Sequence, residues 1–133
     1  MSAGKRGGVV LRVDGALHFV PASTAVRVAP PPRVTPVPGA PPELLGIALH
    51  DGTIVPVLVV GPARAAMVVC QCAGELVGVV GGDVVATGSF DAVSGEPGTV
   101  EYEGRPAATL DIGSIYARVQ SGGRPADFGR SGG

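Results

Sequence analysis

Four short turn signatures recur along this chain, each set between two runs of β-type residues. Asp14-Gly15 separates residues 9–13 from 16–20, Asp51-Gly52 separates 46–50 from 53–60, and Ala73-Gly74 separates 67–72 from 75–80. A fourth, at Gly104, lies between 99–103 and 105–110. A two-residue loop ending in glycine between β-type runs is among the strongest local signals for a hairpin. The chain is therefore expected to be all-β. Composition agrees, because 22 valines outnumber 8 leucines and 4 isoleucines, and β-branched side chains suit a pleated, half-buried surface. The turns fall at irregular intervals, which excludes a solenoid or propeller and favours a barrel or sandwich.

At 133 residues, 45% hydrophobic and 16% charged, against a usual charged share of about 25%, the chain reads as one compact domain. A chain of this size buries about two-thirds of its unfolded surface, enough for a core without staples. The formal net charge is −1 and Lys5 is the one lysine, so the basic footprint of a nucleic-acid binder is missing. With no tryptophan, two tyrosines and three phenylalanines there is no stacking platform either. Residues 1–8 lead into no apolar signal region. The longest apolar run, 54–60, is broken by Pro56, whereas a membrane span needs about 20 apolar residues. Neither export nor membrane insertion is expected, which places the chain in the cytoplasm.

Between the first two hairpins, residues 30–42 hold seven of the 13 prolines. Missing N–H groups keep such a segment out of a central strand, so an extended, ordered connector is expected. One helix is expected over 111–120: Asp111 can cap it, and Ile112, Ile115, Tyr116 and Val119 share a face. Residues 1–8 are expected to be a disordered N-terminus, 9–120 the domain, and 121–133 a disordered, glycine-rich tail.

No residue pattern points to catalysis, and no enzyme activity is expected. A phosphate-cradling loop needs a glycine-rich turn with a lysine before a helix, and Lys5 stands in the wrong place. The glycines at 74, 78, 81 and 82 are better explained by strand crowding or a bulge. A serine nucleophile needs an elbow between a strand and a helix together with a histidine base. His18 and His50 each have an aspartate nearby but form no triad by that alone. Cys70 and Cys72 are spaced Cys-x-Cys, a weak metal signal beside the Cys-x₂₋₄-Cys of structural zinc. Buried free thiols are the commoner explanation, so neither metal nor cofactor is expected. A small metal-binding or redox protein using Cys70 and Cys72 is the alternative, as is a stand-alone interaction module regulating another kinase.

From residue 9 onward the order of features resembles the CheW family, the coupling adaptors of bacterial chemosensory arrays. The central segment Val34-Thr35-Pro36-Val37-Pro38-Gly39-Ala40-Pro41-Pro42-Glu43-Leu44-Leu45-Gly46-Ile47 carries the resemblance, followed by Gly52-Thr53-Ile54-Val55-Pro56-Val57-Leu58. Leu17-His18-Phe19-Val20-Pro21 upstream and Leu110-Asp111-Ile112 downstream extend it over about residues 9 to 120. The resemblance implies two small SH3-like β-barrels, one short C-terminal helix and no catalysis. It implies a non-catalytic adaptor between the regulatory domain of a CheA-type histidine kinase and the tips of methyl-accepting chemoreceptors, with other CheW-like proteins as further partners. It also implies a partner-binding surface, here at Val26, Val28, Val37, Pro38, Ile47, Leu49, Asp51 and Pro56.

Three departures from the family pattern stand out. Asp51 occupies a position that is commonly arginine, and Val28 one that is commonly a glutamate able to pair with it. Losing both is coherent, since one buried partner left alone would cost several kcal/mol. The stretches between Val60 and Met67 and between Asp83 and Thr99 are short, and Val59-Val60 replaces an acidic-then-apolar strand ending. These departures suggest a minimal adaptor lacking one of the usual contacts, such as the second CheW-like adaptor of a Frz-type system.

Overall fold

The computed structural model describes residues 4–122. Ten strands and one helix follow in order: β1 Lys5–Val13, β2 Ala16–Pro21, β3 Ala25–Ala29, β4 Leu44–His50, β5 Thr53–Val59, β6 Met67–Cys72, β7 Glu75–Val80, β8 Asp83–Ala92, β9 Thr99–Tyr102, β10 Arg105–Thr109 and α1 Ile112–Gly122. All four expected hairpins form. Their turn residues take φ values of 49° and 83° (Asp14, Gly15), 48° and 80° (Asp51, Gly52), 52° and 83° (Ala73, Gly74), and 51° and 76° (Glu103, Gly104). Positive φ at both central positions matches the right-handed twist of the strands they join.

The strands form two units. The first is a closed barrel in the order β1-β2-β10-β9-β8, and the second a five-stranded sheet in the order β3-β6-β7-β5-β4. Closure of the first joins the two ends of the sequence: β1 pairs with β8 from Lys5↔Asp91 to Arg12↔Asp83, while β10 lies parallel to β2. The second unit leaves its end strands β3 and β4 without a mutual ladder. It nevertheless curls around its own interior, where Ala29 of β3 and Ala48 of β4 share a buried cluster with Val55, Val57, Met67 and Val69.

Period-two alternation divides the valines among three cores. Val10 faces the interior of the closed barrel with Phe19, Phe90 and Val100, whereas its neighbours Val9 and Leu11 face the seam between the units. On β6, Met67 and Val69 point into the second unit, and Val68, Cys70 and Cys72 into the seam. Both faces of these strands are thus buried, so they read as near-continuous apolar runs. Helix α1 closes the seam with Ile112, Tyr116 and Val119. The Asp111 carboxylate caps it, accepting the Ser114 N–H at 3.0 Å and the Ser114 hydroxyl at 2.7 Å, and these bonds hold its pKa below the ordinary carboxylate value.

Two boundaries differ from expectation. β1 begins at Lys5, inside the segment 1–8 expected to be disordered, because closing the barrel needs a partner for the far end of β8. Gly7 and Gly8 carry no apolar signal, yet the strand requires a bare Gly8: a Cβ there would lie 2.3 Å from the Val20 carbonyl oxygen and 2.7 Å from the Phe19 ring. The helix runs to Gly122 rather than ending at Gln120, and the rest of the expected tail, 123–133, lies outside the described residues. Strand crowding does account for Gly78, where a Cβ would meet the Met67 sulfur at 2.4 Å. The proline-rich connector is pinned to β4 where Thr35 and Ile47 exchange both backbone hydrogen bonds, at 2.8 and 2.9 Å. Among the described residues no helix is long and apolar enough to cross a membrane.

Candidate partner-binding surface

Among the described residues, two solvent-open surfaces with apolar side chains involve the second unit. One is the outer face of the β4–β5 hairpin. The Asp51-Gly52 turn sets the register so that Ile47 stands opposite Pro56 and Leu49 opposite Ile54. Directly opposite side chains on an antiparallel pair touch, so these four make a continuous ribbon. It runs outward from buried Leu58, through half-buried Pro56 and Ile47, to Leu49 and Ile54 at 70% and 66% exposure. A cavity of about 380 Å³ lies against it, lined by Arg33, Thr35, Ile47, Ala48, Leu49 and Ile54.

The other surface is a groove between the units, about 580 Å³ in volume. Gly7, Gly8 and Gly88 of the closed barrel line one side, and Val26, Arg27 and Val28 of β3 the other. Val26 is 54% and Val28 37% exposed. The glycines bring bare backbone to the surface, which admits a close-approaching partner against the exposed Val26 and Val28.

Arg27, on the groove wall, reaches the turn of the β4–β5 hairpin. The β3–β6 pairing slips between Ala25 and Arg27, and a bulge of this kind re-aims a side chain. The Arg27 guanidinium donates to the Asp51 carboxylate at 3.0 Å, and His50 Nε2 lies 3.5 Å from the same oxygen. Positions 28 and 51 form no ion pair with each other. Asp51 has a different partner, Arg27, one residue before Val28, so the anion sits on the hairpin turn and the cation on β3. Both members are more than half exposed, so the pair contributes at most about 1 kcal/mol.

The eight residues named from the sequence therefore separate. Ile47, Leu49, Asp51 and Pro56 gather on the hairpin, and Val26 and Val28 on the groove wall. Val37 and Pro38 are exposed on the connector and line neither surface. Ile54 is missing from that set although Leu49 is in it, and counting outward from the Asp51-Gly52 turn pairs the two. Arg33 is also missing, and nothing local to its sequence marks it.

The cysteines offer little chemistry. Cys70 and Cys72 are free and buried. Burial, with Cys72 alongside, pushes the Cys70 thiol up to about 12, so no thiolate stands ready at neutral pH. Among the described residues no three histidine, cysteine, aspartate or glutamate side chains gather where they could hold a metal.

Comparison with known proteins fits this architecture. The crystal structure of scaffolding protein TtCheW from Thermoanaerobacter tengcongensis superposes with a TM-score of 0.71 over 87% of this chain and 93% of that one, at 14% identity. No curated protein matches the sequence. The family described as CheW-like domain matches residues 7–119, starting within β1 where barrel closure begins and ending at Val119, the last buried residue of α1. This chain belongs to the CheW-like domain family.

Proposed function

We propose that this chain is a non-catalytic coupling adaptor of a bacterial chemosensory array, working in the cytoplasm between a CheA-type histidine kinase and chemoreceptor tips. The observation that carries the reading is the presence of two separate apolar surfaces on one body: a bridging protein needs two. Exposed large apolar side chains that cluster, rather than scatter, mark interaction sites. The name of the superposed protein, a scaffolding protein, supports the same reading. Membership of the fold family alone would not, because function resides in the surface.

One of the two contacts is weakened. The hairpin tip carries an acidic side chain where the family pattern has a basic one, and opposing like charges at an interface cost enough to remove a micromolar contact. The Arg27–Asp51 pair and the short loops support an accessory role, such as that of a second adaptor in a Frz-type system. Calorimetric titration against the kinase regulatory domain and the receptor tip, each alone, tests this. Unequal binding is expected, and full-strength binding to both would refute the weakened contact. Binding to neither would refute the adaptor role.

A further inference from the structure

The ribbon cavity is apolar apart from its rim. Its one charged lining residue is Arg33, and among the described residues Arg33 has no ion-pair or hydrogen-bond partner. The nearby charges are otherwise engaged, since Asp51 receives Arg27 and lies beside His50. The backbone at Arg33 is also constrained. Pro30, Pro31 and Pro32 precede it with fixed φ, and two residues later Thr35 is bonded to Ile47. Continuing that antiparallel register brings Arg33 level with Leu49. An unpaired guanidinium on a constrained backbone therefore stands beside Leu49 and Ile54, the most exposed large apolar side chains among the described residues.

Resting on the adaptor reading for the identity of the surface, we propose that Arg33 is a specificity-determining residue. It pairs with a carboxylate on a partner segment whose neighbouring apolar side chain seats on Leu49 and Ile54. The occupant is a protein segment with an aspartate or glutamate close to a leucine, isoleucine, valine or phenylalanine. Guanidinium and carboxylate form two parallel charge-assisted hydrogen bonds, and the apolar neighbours shield that pair from solvent. The ribbon supplies contact area, and Arg33 selects among apolar partners by their charge.

Panning displayed random peptides on the full chain tests this without assuming any chemosensory partner. Peptides retained by the native protein should be enriched in acidic residues next to apolar ones. They should bind Arg33→Glu about tenfold or more weakly, bind Arg33→Lys with a smaller loss, and be lost with Leu49→Ser/Ile54→Ser. Thermal melts of each variant identify any loss caused by unfolding. Retained peptides without acidic enrichment, binding unchanged by Arg33→Glu in a folded variant, or no retention above the Leu49→Ser/Ile54→Ser background would each overturn the proposal. Failure of kinase and receptor titrations alongside successful panning would refute the adaptor reading and leave the role of Arg33 standing.

Discussion

The closed barrel and the curled sheet beside it are built from similar strands, yet they end differently. In the closed barrel every strand has two neighbours, so its ladder has no free edge. The second unit leaves β3 and β4 as edges, joined through the shared interior and by the exposed Arg27–Asp51 pair. Among the described residues, Val26, Val28, Leu49 and Ile54 are exposed large apolar side chains on or next to those edges, and a fifth, Val37, is on the connector. Closure thus leaves the first unit without free edges, and the unclosed unit carries the surfaces proposed to meet other proteins. Free edges invite unwanted pairing. Here the proline-rich connector covers β4 at Thr35 and blocks further pairing with Pro36.

The largest effect is expected in the closed barrel. Phe19 is fully buried and packs edge-on against Phe90 at 6.1 Å, so Phe19→Ala should cost about 3–5 kcal/mol. Because the seam core joins both units, urea denaturation should still show a single transition. Separate transitions for the two units would break the picture of one body.

Alkaline pH should loosen the seam next. Burial raises the Cys70 thiol from 9.0 to about 12. Burial, helped by the hydrogen bond to Glu75, raises the Tyr116 phenol from 10.0 to about 12. The folded state holds both protons longer than the unfolded chain does. The resulting stability is therefore full below the unfolded values and is lost as pH rises from 9 towards 12. Urea midpoints should fall over that range, less steeply in Cys70→Ala and in Tyr116→Phe. Parallel slopes in all three proteins would show that these groups are not linked to folding.

Much of this architecture is legible in the sequence wherever the determining contacts are local. Asp14-Gly15 and Asp51-Gly52 specify their hairpins because a two-residue turn sets both twist and register. Asp111 and the spacing of Ile112, Tyr116 and Val119 specify α1 in the same way. The β1–β8 closure is not legible, since Lys5 and Asp91 stand 86 positions apart and Gly7 and Gly8 contribute bare backbone rather than a pattern. The surface divides likewise. Leu49 is recognisable and Ile54 follows from it by register, but Arg27 meets Asp51 only because the sheet curls.

At the ribbon, Leu49→Ser with Ile54→Ser should weaken partner binding about tenfold or more, while leaving stability within about 0.5 kcal/mol because both side chains are exposed. A large loss of stability instead would mean that the ribbon belongs to the core. Smallest of all, Arg27→Ala should cost no more than about 1 kcal/mol. A larger loss in urea melts would show that the pair, rather than the shared interior, holds the open unit together. Asp51→Arg alone sets like charges against Arg27 and should restore no contact, whereas adding Arg27→Glu rebuilds the pair with the opposite polarity.

Titrating the native chain, Leu49→Ser/Ile54→Ser and Val26→Ser/Val28→Ser against the kinase regulatory domain and the receptor tip separately would decide whether the two surfaces act independently. A two-surface adaptor with one weakened contact predicts unequal binding by the native chain, with the stronger contact removed by one double variant and spared by the other. Full-strength binding to both partners, or binding that survives both double variants, would contradict it.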